Sequence, residues 1–542
     1  MLADERRLVR QEGDWAARRA AFRWPRPHRF NIAEACCDSW AWAAPEREAI
    51  LHLDADGNRE SWSYAKLKHA SDRLANAFRA RGLRQGDRVA VLLAQAPEVM
   101  LTHFAALKLG AVVLPLFTLF GSEALAYRLA DSGARIVVTD PENLDKVEAL
   151  RADLPDLREI YVTGPVAAPL RAFWEEIAAA APQLAPVDTL AEDPAVMIYT
   201  SGTTGPPKGV LHAHRFLLGH LPSMECAHEG FPQPGDRGWT PADWAWIGGL
   251  MDMAMPCLYY GIPQVSHRMR RFDPEAAYAL IREEGVRNVF LPPTALKLMR
   301  QAPAPQGAML RSISSGGESL GADMLDWARG ALGVVPNEIY GQTECNLSLV
   351  SQAGAMELRP GTTGRAVPGF DVAVLGPGGA EVAEGELGEI AVRRGTPVMF
   401  LRYWNKPEQT AAKFQGDWMR SGDLGRCEDG YFTFVARDDD VITSSGYRIG
   451  PSEIENCLTG HPDVVMAAAV GRPDPVRTEI VVAHVVLRDG VSLTPELEAE
   501  LTMRVREKVS PHVAPRAMVQ AESLPMTTTG KIMRRELRQQ GG

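Results

Sequence analysis

The sequence predicts an α/β protein in three unequal parts: a long region on a mostly parallel sheet, a small β-rich unit, and a compact α+β unit. Three observations carry this reading. From residue 60, short apolar runs alternate with helical patterns, which calls for a parallel sheet with helices on both faces. Residues 360–436 are dense in glycine, short strands and turns (GTTGRAVPGFDVAVLGPGG, GELGEIAVRRG), the pattern of a small barrel-like unit. After the acidic turn at 437–440 (RDDD), helix and strand patterns resume to the end.

The first thirty or so residues are rich in arginine and tryptophan and show little periodicity; a helix laid on the surface is expected there. Residues 87–93 (DRVAVLL) read as a buried strand, 97–109 as a helix, and 110–115 (GAVVLP) as the returning strand. Residues 135–140 (RIVVTD) and 159–162 repeat the scheme. Further strands are expected at 195–200, 288–291, 310–314 and 338–340. Each ends in a Gly, Ser, Thr or Pro cluster, and ligands gather at such carboxyl ends. In the last unit a proline opens a helix at 451–458. Strands follow at 464–470 and 479–487, then a helix from 494 with Leu497, Leu501 and Val505 on one face. The boundary is placed near 438, giving domains 1–437 and 438–542.

At 542 residues, 46% hydrophobic and 23% charged, the chain has the composition of a multidomain globular protein. Its charge, 58 − 68 = −10, offers no basic field for nucleic acid. Seven cysteines, an odd number without a CxxC, argue against a disulfide framework or zinc ribbon and for a reducing, cytoplasmic location. The start, MLADERRLVRQEGDW, has no apolar segment of a secretory signal. The most apolar stretch, 247–265, is interrupted by Asp252, Pro256 and Pro263, so no membrane span is expected.

The sharpest chemical signal is YTSGTTGPPKG at 199–209, directly after a strand. Backbone N–H groups and hydroxyls of such a loop can cradle phosphate oxygens. It is not a Walker A loop, because Pro207 precedes Lys208 and Gly209 follows it. Thr200, Ser201, Gly202, Thr203, Thr204, Gly205 and Lys208 are the candidate phosphate residues.

This loop resembles the signature of the adenylate-forming (ANL) superfamily of acyl-CoA synthetases, luciferases and peptide-synthetase adenylation domains. The other family segments appear in order along almost the whole chain. Gly316, Gly317, Glu318 and Ser319 match the adenine loop, and 338–344 (EIYGQTE) the segment lining the nucleotide and acyl sites. The resemblance thus adds Gly317, Glu318, Ser319, Glu338, Tyr340, Gly341, Gln342 and Thr343 to the ATP contacts. Asp423 in RSGDL matches the ribose-binding aspartate, and Arg437 a second nucleotide contact. SSGYRIG at 444–450 and PMTTTGK at 525–531 match the glycine turn and the catalytic-lysine motif of the C-terminal domain.

The resemblance implies a large N-terminal domain of two helix-flanked sheets with a small β-barrel-like subdomain, and a smaller mobile α+β C-terminal domain. It implies ATP and coenzyme A as co-substrates and Mg²⁺ held by Glu344 with loop hydroxyls such as Thr200. Lys531 would bridge the substrate carboxylate and the α-phosphate. The chemistry agrees: a carboxylate is a poor electrophile, and adenylation supplies a leaving group while charge builds on the phosphates. Asp439 matches the hinge. Ser445, Gly446, Tyr447, Arg448, Arg477, Arg506 and Arg516 match CoA-contacting positions. Lysines framed as in 525–531 are acetylated in bacterial relatives, so a protein acetyltransferase and deacetylase acting on Lys531 are expected partners, beside a homo-oligomer.

Trp246, Ile247, Gly248, Gly249, Gly316 and Gly341 match the acyl pocket. Acetyl-specific relatives carry tryptophan where Gly341 stands, so glycine is expected to leave room for later carbons, each methylene adding about 0.8 kcal/mol. Short- or medium-chain fatty acids, straight or branched, are the expected substrates, and the chain is expected to serve fatty acid metabolism. A benzoate-like aryl acid, or loading of a carrier protein, is the alternative. His212 and His214 read as packing residues, His461 as a weak cation candidate, Cys345 as no nucleophile for want of a His or Asp partner, and the basic tail after Lys531 as a solvated helix face.

Overall fold

The computed structural model describes residues 5–539 apart from 201–205, 306, 308, 318–319, 438–439, 445–446, 475–476 and 528–529; of residues 447 and 448 it describes the backbone. Among the described residues the strands form four sheets. In the first, Arg88–Leu92 lies at the centre, parallel to Val112–Pro115 on one side and Ile136–Thr139 on the other. Pro194–Thr200 continues the sheet in parallel, and Lys208–Ala213 folds back antiparallel against it. The second sheet runs through Glu48–Leu53, Gln264–His267, Gly238–Trp239, Asn288–Phe290, Ser312–Gly316 and Asn337–Gln342, all parallel, to the antiparallel Cys345–Val350.

One apolar core unites the two sheets. It joins Val89, Val91 and Val113 of the first to Ile50 and Val350 of the second through the helices Tyr64–Ala80 and Pro97–Lys108. The second helix is buried on nearly every face, as its continuous run of apolar residues requires. Asp38 and Asp72 each meet the Lys108 ammonium at 2.7 Å, so its buried charge is matched.

The β-rich unit is a five-stranded antiparallel sheet. Its long strand Trp418–Glu428 pairs with Gly388–Arg393, with Phe414–Gln415, and, past a bulge at Leu424/Gly425, with Tyr431–Arg437. In the C-terminal domain Val464–Asp474 and Thr478–Leu487 form the main hairpin, covered by the helices Pro451–Thr459 and Pro495–Lys508. Leu501 and Val505 are buried on the second helix, and Leu497 packs beside them. Arg504 crosses to the larger domain and meets Asp323 at 2.9 Å.

Two expectations are corrected. The N-terminal segment is not merely laid on the surface: its helix is short (Trp15–Ala21), and Val9, Trp15 and Phe22 enter the core. The buried Glu225 carboxylate anchors it, accepting from the N–H groups of Leu8 and Val9 at 2.7 Å each. The basic tail is a solvated face only in part, with Arg535 and Glu536 exposed. Arg534 is bidentate to buried Glu455 and, with Arg538, meets Asp440. No described helix is long and apolar enough to cross a membrane, and all seven cysteines are free thiols.

Candidate active site

Thr200 and Lys208 lie opposite each other at the mouth of the antiparallel pair, so the phosphate-loop candidates hang at the carboxyl end of a central strand. Ser201, Gly202, Thr203, Thr204 and Gly205 lie outside the described residues. Tyr127 holds the loop's far side by donating to the Pro207 carbonyl at 3.0 Å. The Lys208 ammonium sits 5.0 Å over the Tyr403 ring, and the Tyr403 hydroxyl donates to Glu344. The backbone carbonyl of Glu344 accepts from Phe400 N–H at 2.9 Å. Glu344 is buried, and its second carboxylate oxygen has no protein partner among the described residues. Tyr403 thereby ties together Lys208 and Glu344, 136 positions apart (344 − 208). Sequence reasoning missed Tyr403; its only signal was an aromatic beside the arginine of RYWN.

A second cluster surrounds Asp423. Tyr340 Oη and Gln342 Nε2 each donate to its Oδ2 at 2.7 Å, and Arg437 Nε stands 4.0 Å from Oδ1. Lys413, also missed, lies 3.3 Å from Gln342 Oε1. Strand register does this work: Asp423 pairs with Arg437 across the β-rich sheet, which abuts the edge carrying Tyr340 and Gln342.

Lys531 comes from the other domain to the same place. A Cβ built on Gly317, at φ +109°, would lie 3.7 Å from Lys531 Cε and 3.9 Å from the Trp246 ring. Glycine is favoured there by the left-handed backbone, while a Cβ would make only ordinary contact with both groups. Glu318 and Ser319 lie outside the described residues. Glu338, expected among the nucleotide contacts, also binds the end of this loop: its buried carboxyl accepts from Leu320 N–H at 2.6 Å.

Burial pushes the Glu338 carboxyl up to about 8 from its ordinary 4.5. The fold therefore favours the neutral form, a preference complete below about pH 4.5 and lost as pH rises through about 8. Glu338→Gln keeps an acceptor for Leu320 and removes the titration. Its unfolding free energy should fall less than wild type's from about pH 5 to about pH 9, by on the order of a few kcal/mol, and its melting temperature correspondingly less. Parallel melting curves against pH would refute this.

The acyl-pocket glycines do not all act as expected. The reading of Gly341 as open space is corrected: a Cβ there would strike the backbone N of Leu347 and approach Asn346 Cα to 3.0 Å. Its glycine serves close strand packing, so a larger residue would displace the neighbouring strand before it filled any pocket. Gly316 is likewise pressed against Ile339, and Gly249 against the Ala242 carbonyl, 2.7 Å from a built Cβ. Gly248 faces the rings of Trp246 and Phe290 at 2.9 Å.

His212 and His214 are buried packing residues as expected, the former stacked on Phe216 at 3.8 Å. Burial holds the Cys345 thiol up at about 12, so it forms no thiolate nucleophile. His461 pairs with Glu500 at 3.1 Å, and no metal-binding group of His, Cys, Asp and Glu occurs among the described residues. Asp439, Ser445 and Gly446 lie outside the described residues, and nothing is described of the Tyr447 and Arg448 side chains. Arg506 and Arg516 are exposed, and Arg477 N–H bonds to Asp474 at 2.8 Å. A cavity of about 550 Å³ opens behind the Glu344 segment, between Pro25, Arg215, Arg394 and Phe400, away from Lys531.

Comparison with known proteins gives a family. The model of the AMP-binding enzymes matches residues 37–404, and that of their C-terminal domain residues 453–531. The acetyl-coenzyme A synthetase of Bacillus subtilis is 32% identical, over 97% of this chain and 93% of that protein. The mitochondrial acyl-coenzyme A synthetase ACSM2 of Rattus norvegicus is 34% identical, over 94% and 92%. Among solved structures, the anthranilate CoA ligase AuaEII in complex with anthranoyl-AMP superposes with a TM-score of 0.87 at 26% identity, over 95% of this chain and 98% of that one.

Proposed function

The chain belongs to the AMP-binding enzymes of the acyl-CoA synthetase type, AMP-forming acid–thiol ligases, and on that premise we propose its substrates and the roles of its residues. It joins a short- or medium-chain carboxylic acid to AMP, with release of diphosphate, and then transfers the acyl group to coenzyme A. The observation that carries this reading is the meeting of Lys531 with Gly317 and Trp246, 214 positions apart in sequence (531 − 317).

Lys531 neutralises the carboxylate and the α-phosphate as they approach, and Trp246 walls off the acyl side. Lys208 and the 201–205 loop hold the outer phosphates. Asp423, steadied by Tyr340 and Gln342, takes the ribose hydroxyls, with Arg437 beside it. Glu344 and the Thr200 hydroxyl are hard oxygen donors that suit Mg²⁺, which keeps few protein ligands when phosphates supply the rest. When bound, the ion offsets charge on the phosphates. After adenylation the C-terminal domain turns about Asp439, withdrawing Lys531 and bringing in Gly446 and the arginines at 448, 477, 506 and 516 for coenzyme A. Lys531 is exposed enough for an acetyltransferase, and acetylation would remove the charge that adenylation needs. Seven free thiols suit the cytoplasm.

A second reading, an aryl acid, is favoured by the likeness to the anthranilate ligase and by the loss of the Gly341 argument for depth. Diphosphate release assayed over alkanoic and aryl acids, with and without coenzyme A, tests both. Turnover should need ATP, acid and coenzyme A together. Turnover without coenzyme A, or preference for acetate over every longer acid, would overturn the proposal.

A further inference from the structure

One buried polar group in the acyl wall has no part in adenylation. Asp252 breaks the apolar stretch 247–265 and lies in the π-helical turn Leu250–Ala254, of the kind that re-aims side chains at functional sites. Its Oδ1 accepts from Asn346 Nδ2 at 2.5 Å, and the same amide nitrogen lies 3.2 Å from His220 Nε2. His220 Nδ1 is 2.9 Å from the Phe216 carbonyl. A carbonyl can only accept, so Nδ1 carries the proton and Nε2 accepts from Asn346. Burial lowers the His220 ring to about 4, which keeps it neutral and preserves this direction of bonding.

The chain of bonds uses both N–H groups of Asn346 and fixes which way its amide lies. Two oxygens remain: Asn346 Oδ1 and Asp252 Oδ2 have no hydrogen-bond partner among the described residues. Burial raises the Asp252 carboxyl well above the carboxylate range, and with Oδ1 accepting from Asn346 this favours a proton on Oδ2. A donor and an acceptor therefore stand unfilled on neighbouring side chains. Asp252 keeps 3% of its surface accessible and Asn346 5%, whereas Leu250, Met253, Ala254 and His220 keep none, so both retain a little access that these neighbours lack.

The placement is that of the far end of the acyl site. Asp252 lies one turn beyond Gly249 and six residues beyond Trp246, roughly 9 Å along the helix from the ring that adjoins Gly317 and Lys531. The backbone of Asn346, with Leu347 N, is what Gly341 packs against.

We propose that Asp252 and Asn346 select an acid bearing a hydroxyl group at the end distal to its carboxylate. The hydroxyl accepts from Asp252 Oδ2 and donates to Asn346 Oδ1, and His220 is a positioning residue for the amide. A plain hydrocarbon end would leave both oxygens dry and unpaired, and sites built to bond a hydroxyl reject the analogue lacking it by up to about 10⁴–10⁵. The proposal rests on the carboxylic-acid reading above and names the substrate class within it.

The test uses the full chain and pairs matched in size: 6-hydroxyhexanoate against heptanoate, and 3- and 4-hydroxybenzoate against the corresponding methylbenzoates. In at least one pair the hydroxy acid should lead by about 10-fold or more in kcat/KM. Asp252→Leu should abolish or reverse that lead while leaving ATP affinity and melting temperature near wild type; Asp252→Asn, which keeps a donor and an acceptor, should retain most of it. If Asp252→Leu does not fold, Asn346→Ala carries the same test. Methyl acids preferred throughout by wild type, a lead untouched in the variants, or amino acids of the same size preferred over hydroxy acids would overturn the proposal while leaving the enzyme class standing. Absence of diphosphate release with every acid would instead overturn the underlying reading, and this proposal with it.

Discussion

Lys531→Ala is expected to lower acyl-adenylate formation about 10²–10³-fold, the effect of removing one preorganised charge from a transition state that gathers negative charge. The same variant should still convert supplied acyl-adenylate and coenzyme A to thioester at close to the wild-type rate. The asymmetry follows from position. Lys531 reaches the Gly317–Trp246 corner only because the C-terminal domain docks there, with Arg504 on Asp323 and the 530–531 turn beside Thr294. On the proposed turn of that domain, the ammonium would leave the site. ATP–diphosphate exchange and single-turnover thioester formation, measured side by side, decide it. Equal losses in both would remove the two-orientation mechanism.

Glu344→Gln is expected to cost about 10²-fold or more in adenylation and to raise the Mg²⁺ concentration needed for half-maximal rate. The substitution keeps a carbonyl to accept from Tyr403, so the buried corner stays hydrogen-bonded and the melting temperature should change little. What it removes is the carboxylate charge at the oxygen that has no protein partner among the described residues. Tyr403→Phe is the companion variant: it leaves the charge but frees its orientation, and should cost less. An unchanged Mg²⁺ dependence in Glu344→Gln would exclude the carboxylate from cation binding.

Chemistry confined to a short contiguous segment was legible in the sequence. The strand ending at Thr200 is read correctly, and on the proposed function the glycine and hydroxyl loop after it and the frame around Lys531 stand out because a phosphate cradle and a fixed lysine would each need particular residues at consecutive positions. The alternation of strands and helices, and the helix face of Leu501 and Val505, were legible for the same local reason.

Gly341 marks the limit of such reading. From sequence, a glycine in place of a large residue reads as open space; in the fold its missing side chain is answered by the backbone at Leu347, which belongs to a strand turned back beside it. At Glu338 only the position of Leu320 shows that its carboxyl also takes up a backbone N–H. The Arg534–Glu455 pair and the burial of Val9, Trp15 and Phe22 had no local signal either.

By itself the sequence determined the order of elements, the reaction class and the residues held in contiguous motifs, since backbone geometry and periodicity act over a few positions. Only the tertiary structure decided which distant side chains share a site. It set Tyr403 between Lys208 and Glu344, Asp423 beneath Tyr340 and Gln342, and Asp252 against Asn346 and His220. Those meetings depend on strand register and on how two sheets pack around one core, and a buried polar atom takes whichever partner that packing brings within about 3 Å.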